Sequence, residues 1–123
     1  MPIFARRVYS IAGIYGLIVL LPQYFMESRI GRDIPPAITH PEYFYGFVGL
    51  AVVWQLCFLA IAREPMRLRP IMPVTVLEKL AFGIPAVVLY SQGRLAAATL
   101  AFGILDLVLG VLFVFAYRRT PSA

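Results

Sequence analysis

The last hydrophobic run, from Leu95 to Tyr117, most constrains what this chain can fold into. It is long enough to cross a bilayer as one helix and has one charged residue, Asp106, near its middle. A carboxylate exposed to hydrocarbon is costly, so Asp106 is expected to face other helices or a cavity. One face of the run has small and polar residues at helical spacing, namely Thr99, Gly103, Asp106 and Gly110. This face is therefore predicted to point inward.

The composition extends the membrane interpretation to the whole chain. Of its 123 residues, 61% are hydrophobic and 14% are charged, whereas a soluble domain averages roughly 45–50% apolar and about 25% charged residues. The formal net charge is +5, but the arginines flank hydrophobic runs instead of forming a patch with interleaved aromatic residues. An integral membrane protein with a single domain is predicted, and nucleic-acid binding is not. Cys57 is the only cysteine, so no disulfide can form within the chain.

Four hydrophobic runs are predicted to be membrane-spanning helices, at about residues 8–25, 42–62, 74–91 and 95–117. They predict an all-α fold, an antiparallel four-helix transmembrane bundle. Paired arginines precede the first run, as in a signal peptide, but no small-residue cleavage site follows, so the run is interpreted as an uncleaved helix. The segment from Glu27 to Pro41 is expected to be the longest polar connection, and Pro85 is expected to kink the third helix.

Small residues predict where these helices come close together. One face of the first run combines two glycines with larger residues, namely Tyr9, Gly13, Gly16, Leu20 and Gln23. Glycine lets a neighbouring backbone approach closely within a membrane. The sequence LAFGI occurs at residues 80–84 and again at 100–104. This repetition is interpreted as chance in an apolar sequence of low complexity.

The basic residues predict the orientation in the membrane. With the N-terminus in the cytoplasm, three arginines lie on the far side, and Lys79 lies in the third helix near its cytoplasmic end. An excess of arginine on the cytoplasmic side fits the positive-inside rule, and an even number of spans returns the C-terminus to the cytoplasm. The arginines predicted on the cytoplasmic side are Arg6, Arg7, Arg63, Arg67, Arg69, Arg118 and Arg119.

Depth along the helices predicts which polar side chains can meet. At a rise of about 1.5 Å per residue, Asp106 lies roughly 16 Å from the cytoplasmic end and Glu78 roughly 6 Å. Lys79 is expected to extend towards the interface rather than towards Asp106. Gln55 and Tyr15, each about 10 Å from that end, are the expected partners of the Asp106 carboxyl. These five residues form a predicted polar layer, and they are, with Thr99, the candidate ligand-binding residues.

Two interpretations of the polar layer remain open. An ionisable residue inside a membrane is a functional candidate, because keeping it there is costly. Alternatively, Asp106 fixes the register of neighbouring helices through an interhelical hydrogen bond, which is worth roughly 0.6–2 kcal/mol in a membrane. For Glu78 and Lys79 a further alternative is that they are ordinary residues of the membrane interface without a special role.

The sequence contains no recognisable catalytic or cofactor-binding constellation. It has no nucleophile–base pair, phosphate-binding glycine loop or CxxC motif. His40 with Asp33 and Glu42 lacks a recognised metal-ligand spacing, and a solvated loop is the favoured interpretation. No catalytic residue, metal ligand or cofactor is predicted, and an enzyme is the least supported class.

The four-helix plan, the Glu78-Lys79 dipeptide and the LDLVLG stretch from Leu105 to Gly110 together resemble the DoxX-like group of small bacterial membrane proteins. The resemblance implies a four-helix fold and a bacterial cytoplasmic (inner) membrane setting. Some members are associated with oxidoreductase or quinone-linked systems, but this chain has no recognisable cofactor-binding residues that would support the same role.

These observations lead to three functional hypotheses. The first is a non-enzymatic protein that holds a small apolar ligand, lipid or quinone-like molecule in an intramembrane pocket around Asp106. The second is a structural or accessory subunit whose small-residue faces dock onto a second copy or a larger membrane complex. The third is a proton-coupled small transporter. Membrane lipids are expected partners in every case.

Overall fold

Helices make up the structure, a computed structural model that describes residues 2–123. Over these residues it contains five α-helices and no strand. Two 3₁₀ turns, Leu21–Phe25 and Arg69–Ile71, extend the first and fourth helices. The α-helices are α1 (Ile3–Leu20), α2 (Glu27–Asp33), α3 (Pro41–Arg63), α4 (Met72–Ser91) and α5 (Ala97–Arg119).

Four segments are long and apolar enough to cross a membrane, which confirms the predicted number of spans. They are Ile3–Phe25, Pro41–Arg63, Arg69–Ser91 and Ala97–Arg119, with 23 residues each. An α-helix of that length extends about 35 Å, slightly more than the roughly 30 Å of hydrocarbon in a bilayer. Their outward sides are rich in exposed leucine, isoleucine, valine and phenylalanine, as helices in contact with lipid require.

A short helix occupies the first part of the predicted polar connection. The short helix α2 follows directly after α1 and its 3₁₀ turn. Glu27 lies in its first turn, and Arg29 forms an ion pair of 3.6 Å with Asp33 one turn later; both features favour a helix. The Pro35-Pro36 pair lies beyond Asp33, so it excludes helix only from the rest of the connection.

The helix ends differ from the predicted ones for local reasons. Helix α1 begins at Ile3 instead of residue 8, because the carbonyl of Pro2 accepts a hydrogen bond from the amide of Arg6 (3.2 Å). Helix α3, by contrast, begins at Pro41 with Glu42 in its first turn, as a proline at the first helical position followed by an acidic residue predicts. Helix α4 continues through Pro85 as one helix.

The helices associate mainly as two pairs, α1 with α3 and α4 with α5, and α1 also contacts α5. The buried core lies at one end of the molecule, where Tyr9 stacks on Phe113 with ring centroids 4.2 Å apart. Phe58 packs edge-on against Phe113 at 5.1 Å. The core combines the starts of α1 and α4 with the ends of α3 and α5, through Ala5, Tyr9, Ala12, Phe58, Ile61, Ala62, Met72, Phe113 and Ala116.

Glycines mark the close contacts in both pairs. In α4–α5, a Cβ on Gly103 would lie 2.5 Å from the Cβ of Ala86, and one on Gly83 would lie 3.1 Å from the carbonyl oxygen of Gly103. Gly83 and Gly103 are the glycines of the two LAFGI segments, so both copies of this sequence meet at one contact. In α1–α3, a Cβ on Gly13 would lie 2.7 Å from Leu59. The predicted role of the α1 glycines in close packing is therefore confirmed.

Candidate functional site

Lys79 is the centre of the polar layer. Its side chain is only 5% exposed, and its ammonium nitrogen lies 3.4 Å from Oε1 of Glu78 and 3.5 Å from Oδ1 of Asp106. The same nitrogen lies 4.9 Å from the centre of the Phe58 ring on α3, within the range of a cation–π interaction. Glu78, Lys79 and Asp106, called the ion-paired triad below, therefore connect α4 with α5 and face α3.

The predicted direction of the Lys79 side chain is wrong. The chain does not extend towards the interface but is buried and reaches Asp106. Gly110, one helical turn after Asp106, makes this possible: a Cβ there would lie 3.3 Å from the Cβ of Lys79, so the glycine leaves room for the base of the lysine side chain. The two carboxylates and the Phe58 ring then replace the water that the ammonium loses on burial.

The contacts in the ion-paired triad are long. A charge-assisted N–H···O hydrogen bond is typically about 2.7–2.9 Å, whereas Lys79 has its two carboxylate contacts at 3.4 and 3.5 Å. Oε1 of Glu78 has no hydrogen-bond partner in the described chain, although it lies near the ammonium. Glu78 and Asp106 keep 17% and 18% of their side chains exposed. The triad thus retains hydrogen-bonding capacity and access from the surface.

Gln55 does not bond Asp106, which corrects the predicted pairing. Its Nε2 donates to the carbonyl of Ala51 on the same helix (2.8 Å), and its Oε1 has no hydrogen-bond partner in residues 2–123. The amide packs directly on Gly16 of α1, where any Cβ would overlap it. Gln55 therefore contributes to the α1–α3 contact, with a weak Cα–H···O interaction available from Gly16.

Tyr15 and Thr99 are also not bonded to Asp106. Tyr15 is half-buried on α1 and within electrostatic range of that carboxyl, but it makes no side-chain hydrogen bond in the described part of the chain. Thr99 is half-buried near the start of α5, about 10 Å along the helix from Asp106. The inward orientation predicted for this face of α5 is confirmed at Gly103 and Gly110, which are buried.

A second buried polar contact joins Tyr9 on α1 to Thr75 on α4, and the sequence pattern does not predict it. Their hydroxyl oxygens are 2.7 Å apart, and the Thr75 hydroxyl donates to the carbonyl of Met72 at 2.6 Å. The Thr75 proton is thereby used, so the Tyr9 hydroxyl is the donor to Thr75. Both residues are fully buried. The sequence predicts Tyr9 on the packing face of the first helix. Thr75 stands four residues before Lys79, and this spacing is the signal that places the two side chains on one face of α4.

Two shallow surface grooves lie away from the ion-paired triad. One, of about 190 Å³, lies beside the second 3₁₀ turn and the C-terminal residues. The other, of about 280 Å³, lies between α2 and the connection that follows it. Within residues 2–123 no cluster of three histidine, cysteine or acidic residues has a geometry suited to a metal ion.

The arrangement has the chemistry to bind a hydrogen-bond acceptor or a proton. An ammonium offers three donors and no acceptor, and a second carboxylate offers a place for a proton. The side chains around the Lys79 ammonium separate it from bulk water. Hydrogen bonds and ion pairs are stronger in such an environment than at the protein surface. Comparison of this chain with protein-family models, with curated proteins and with solved structures finds no match.

Proposed function

We propose that this protein is a non-enzymatic membrane protein that binds the polar group of a small amphiphilic molecule, of the quinone or lipid type, at the ion-paired triad. The observation that supports the proposal is Lys79, whose side chain is 5% exposed and whose ammonium nitrogen lies 3.4 and 3.5 Å from two carboxylates. These contacts leave donors of the ammonium available to a carbonyl or hydroxyl oxygen of a ligand. The apolar part of the ligand lies along the lipid-exposed helices.

This proposal moves the centre of the site from Asp106 to Lys79. Asp106 orients the ammonium from α5, and Glu78 supplies a second negative charge from α4. The partly exposed carboxylates indicate the side from which a ligand in the bilayer reaches the triad. The faces of Gly16, Gly83 and Gly103 are covered within the chain by Gln55, Leu107 and Ala86, so a docking subunit cannot use these three faces, whereas the face of Gly46 on α3 stays open.

Native mass spectrometry of protein released gently from nanodiscs tests the proposal. Nanodiscs are prepared with a short-chain benzoquinone as probe, and the retained molecules are identified for the wild type and for Lys79→Met. We expect the wild type to retain the benzoquinone or a molecule carried from the cell, and Lys79→Met to lose it. Asp106→Asn, which keeps the shape of the side chain, is expected to weaken retention without abolishing it.

Thr99→Val is the matched control, because Thr99 shares the face of α5 with Asp106 but lies away from the triad. It should retain the probe as the wild type does. Equal retention by the wild type and by Lys79→Met, with both proteins folded, would remove the triad as a binding site.

A second candidate, a proton-coupled transporter, is favoured by the charge balance of the triad. Two carboxylates share one ammonium, so one of them is a place to take up a proton within the bilayer. Proton flux into proteoliposomes, compared between the wild type and Asp106→Asn, tests this function separately. Flux that ignores both the pH gradient and the substitution argues against it.

We further propose that the four spans form an antiparallel bundle with both termini in the cytoplasm, in the cytoplasmic membrane of a bacterium. The uneven distribution of arginines supports the orientation, and the resemblance to DoxX-like proteins supports the setting. C-terminal fusions test it: green fluorescent protein should fluoresce at the C-terminus, and alkaline phosphatase should be inactive there.

A further inference from the structure

The groove of about 280 Å³ beside α2 is built from different residues than the ion-paired triad. It is lined by Glu27, Ser28, Gly31, Arg32, Ala37 and Ile38. Gly31 lets the following connection pack tightly on α2, because its missing side chain leaves the Cα of Ala37 and the amide nitrogen of Ile38 just 3.2 and 3.4 Å from the Cβ position. The connection thereby forms one wall of the groove and α2 the other.

One carboxylate and one guanidinium line this groove. Oε1 of Glu27 accepts a hydrogen bond of 2.9 Å from the Tyr45 hydroxyl, which fixes the carboxylate and leaves its second oxygen available. Arg32 has no ion-pair partner in the part of the chain that the structure describes. By contrast, Arg29 and Asp33 on the same helix neutralise each other at 3.6 Å and do not line the groove. The groove therefore presents one positive and one negative group.

Aromatic side chains indicate the depth of the groove in the membrane. Tyr24 precedes α2 in the chain and stacks on Tyr45, with ring centroids 6.2 Å apart. Phe25 and Tyr43 are 91% and 72% exposed. Tyrosine and other aromatic residues collect at the level of the lipid headgroups. The groove beside them therefore lies at the depth of the headgroups rather than in the hydrocarbon.

From this geometry we infer that the groove binds a phosphoethanolamine group, supplied by the headgroup of a phosphatidylethanolamine lipid. Arg32 donates to the phosphate oxygens, as a guanidinium does in a bidentate contact. Glu27 accepts a hydrogen bond from the primary ammonium. A choline headgroup has the same two charges but no N–H donor, and a glycerol headgroup has no cation, so both fit less well. This site is independent of the function proposed for the triad.

Lipid competition in nanodiscs tests the inference. The protein is incorporated into discs with equal amounts of phosphatidylethanolamine and phosphatidylcholine of the same acyl chains, and the lipids retained after gentle release are quantified by native mass spectrometry. We expect the wild type to retain phosphatidylethanolamine about tenfold over phosphatidylcholine, the ratio that one hydrogen bond to a charged group supplies. Glu27→Gln should bring the ratio close to one, whereas Arg32→Gln, which removes the phosphate contact that both lipids share, should lower the retained amount of both.

The variants keep the fold and isolate the charge. Glutamine at position 27 still accepts the Tyr45 hydrogen bond, and Arg32 is an exposed side chain. Arg29→Gln is the matched control on the same helix and should keep both the wild-type ratio and the wild-type amount of retained lipid. Lys79→Met should also keep the wild-type ratio, so failure of the triad proposal and failure of this one are distinguishable.

Two results would overturn the inference. Equal retention of the two lipids by the wild type would show that there is no headgroup preference. A loss of retained lipid in Arg29→Gln as large as that in Arg32→Gln would show that general surface charge holds the lipid. A third measurement identifies the source of the group: soluble glycerophosphoethanolamine is added to detergent-solubilised protein. If it displaces the lipid at micromolar concentration, the ligand is a soluble phosphoethanolamine compound and the lipid assignment is wrong.

Discussion

In the α1–α3 pair a glycine makes room for a neutral amide, whereas in the α4–α5 pair a glycine makes room for an ammonium. Gly16 receives Gln55, whose Oε1 is left without a hydrogen-bond partner in the described residues. Gly110 receives Lys79, which has two carboxylates and an aromatic ring around it. A buried amide tolerates one weakly satisfied oxygen, but a buried charge requires opposite charge nearby. We therefore expect α1–α3 to respond mainly to volume and α4–α5 also to charge.

The largest effect should come from Lys79→Met. The methionine keeps much of the volume but leaves Glu78 and Asp106 without a counter-charge, and removing one partner of a buried ion pair costs about 3–5 kcal/mol. The free energy of unfolding, measured reversibly in mixed micelles, should fall by that amount. The triple variant Lys79→Met/Glu78→Gln/Asp106→Asn should recover most of the loss, because no uncompensated charge remains. If Lys79→Met alone were as stable as the wild type, charge would not distinguish the α4–α5 pair from the α1–α3 pair.

Gly103→Ala should have the next largest effect. The new Cβ would lie 2.5 Å from the Cβ of Ala86, which cannot rotate away, so the helices must separate. Overpacking of this kind costs about 1–3 kcal/mol, read as a lower unfolding free energy in the same assay. Gly46→Ala is the matched control, since no atom lies within 4 Å of the position of its Cβ. It should leave stability unchanged or raise it slightly through better helix propensity.

Gly16→Ala tests the volume requirement of the α1–α3 pair. The added methyl group overlaps the Gln55 amide, which must leave its site, and we expect a loss of about 1–2 kcal/mol. Gln55→Ala in the Gly16→Ala background should cost less than Gln55→Ala alone, because the overlap is relieved. A double-mutant cycle measures this coupling. Additive effects would mean that the glycine and the amide do not share one packing site.

Tyr9→Phe should have the smallest effect and concerns the contact between the two pairs. It removes the hydrogen bond to Thr75 while keeping the ring stacked on Phe113. Interhelical hydrogen bonds in membranes average about 0.6 kcal/mol, so the unfolding free energy should fall by about that much. Combining it with Thr75→Val gives the coupling directly. A loss above about 2 kcal/mol would mean that this hydroxyl pair, not the triad, dominates the polar contribution.

Much of the fold was accessible from the sequence because hydrophobic length and glycine spacing are local properties. The four spans, and the inward face formed by Gly103 and Gly110, follow from counting along one helix. The contact between Lys79 and Asp106 does not follow from such counting. The direction of the Lys79 side chain depends on the space left by Gly110 and on the Phe58 ring, and these residues belong to other helices. Helical rise alone put Lys79 and Asp106 at different depths, yet a lysine side chain is long enough to bridge that difference.

The order of residues in the ion-paired triad has a consequence for biosynthesis. Glu78 is the chain neighbour of Lys79, whereas Asp106 follows 27 residues later. Domains and helices emerge from the ribosome N-terminus first, so Lys79 enters the bilayer before its partner on α5 has been delivered. We expect Glu78, which is inserted together with Lys79, to offset the lysine charge during that interval. The adjacent carboxylate thus serves as the first counter-charge of the lysine, and Asp106 becomes the second once the last helix is inserted.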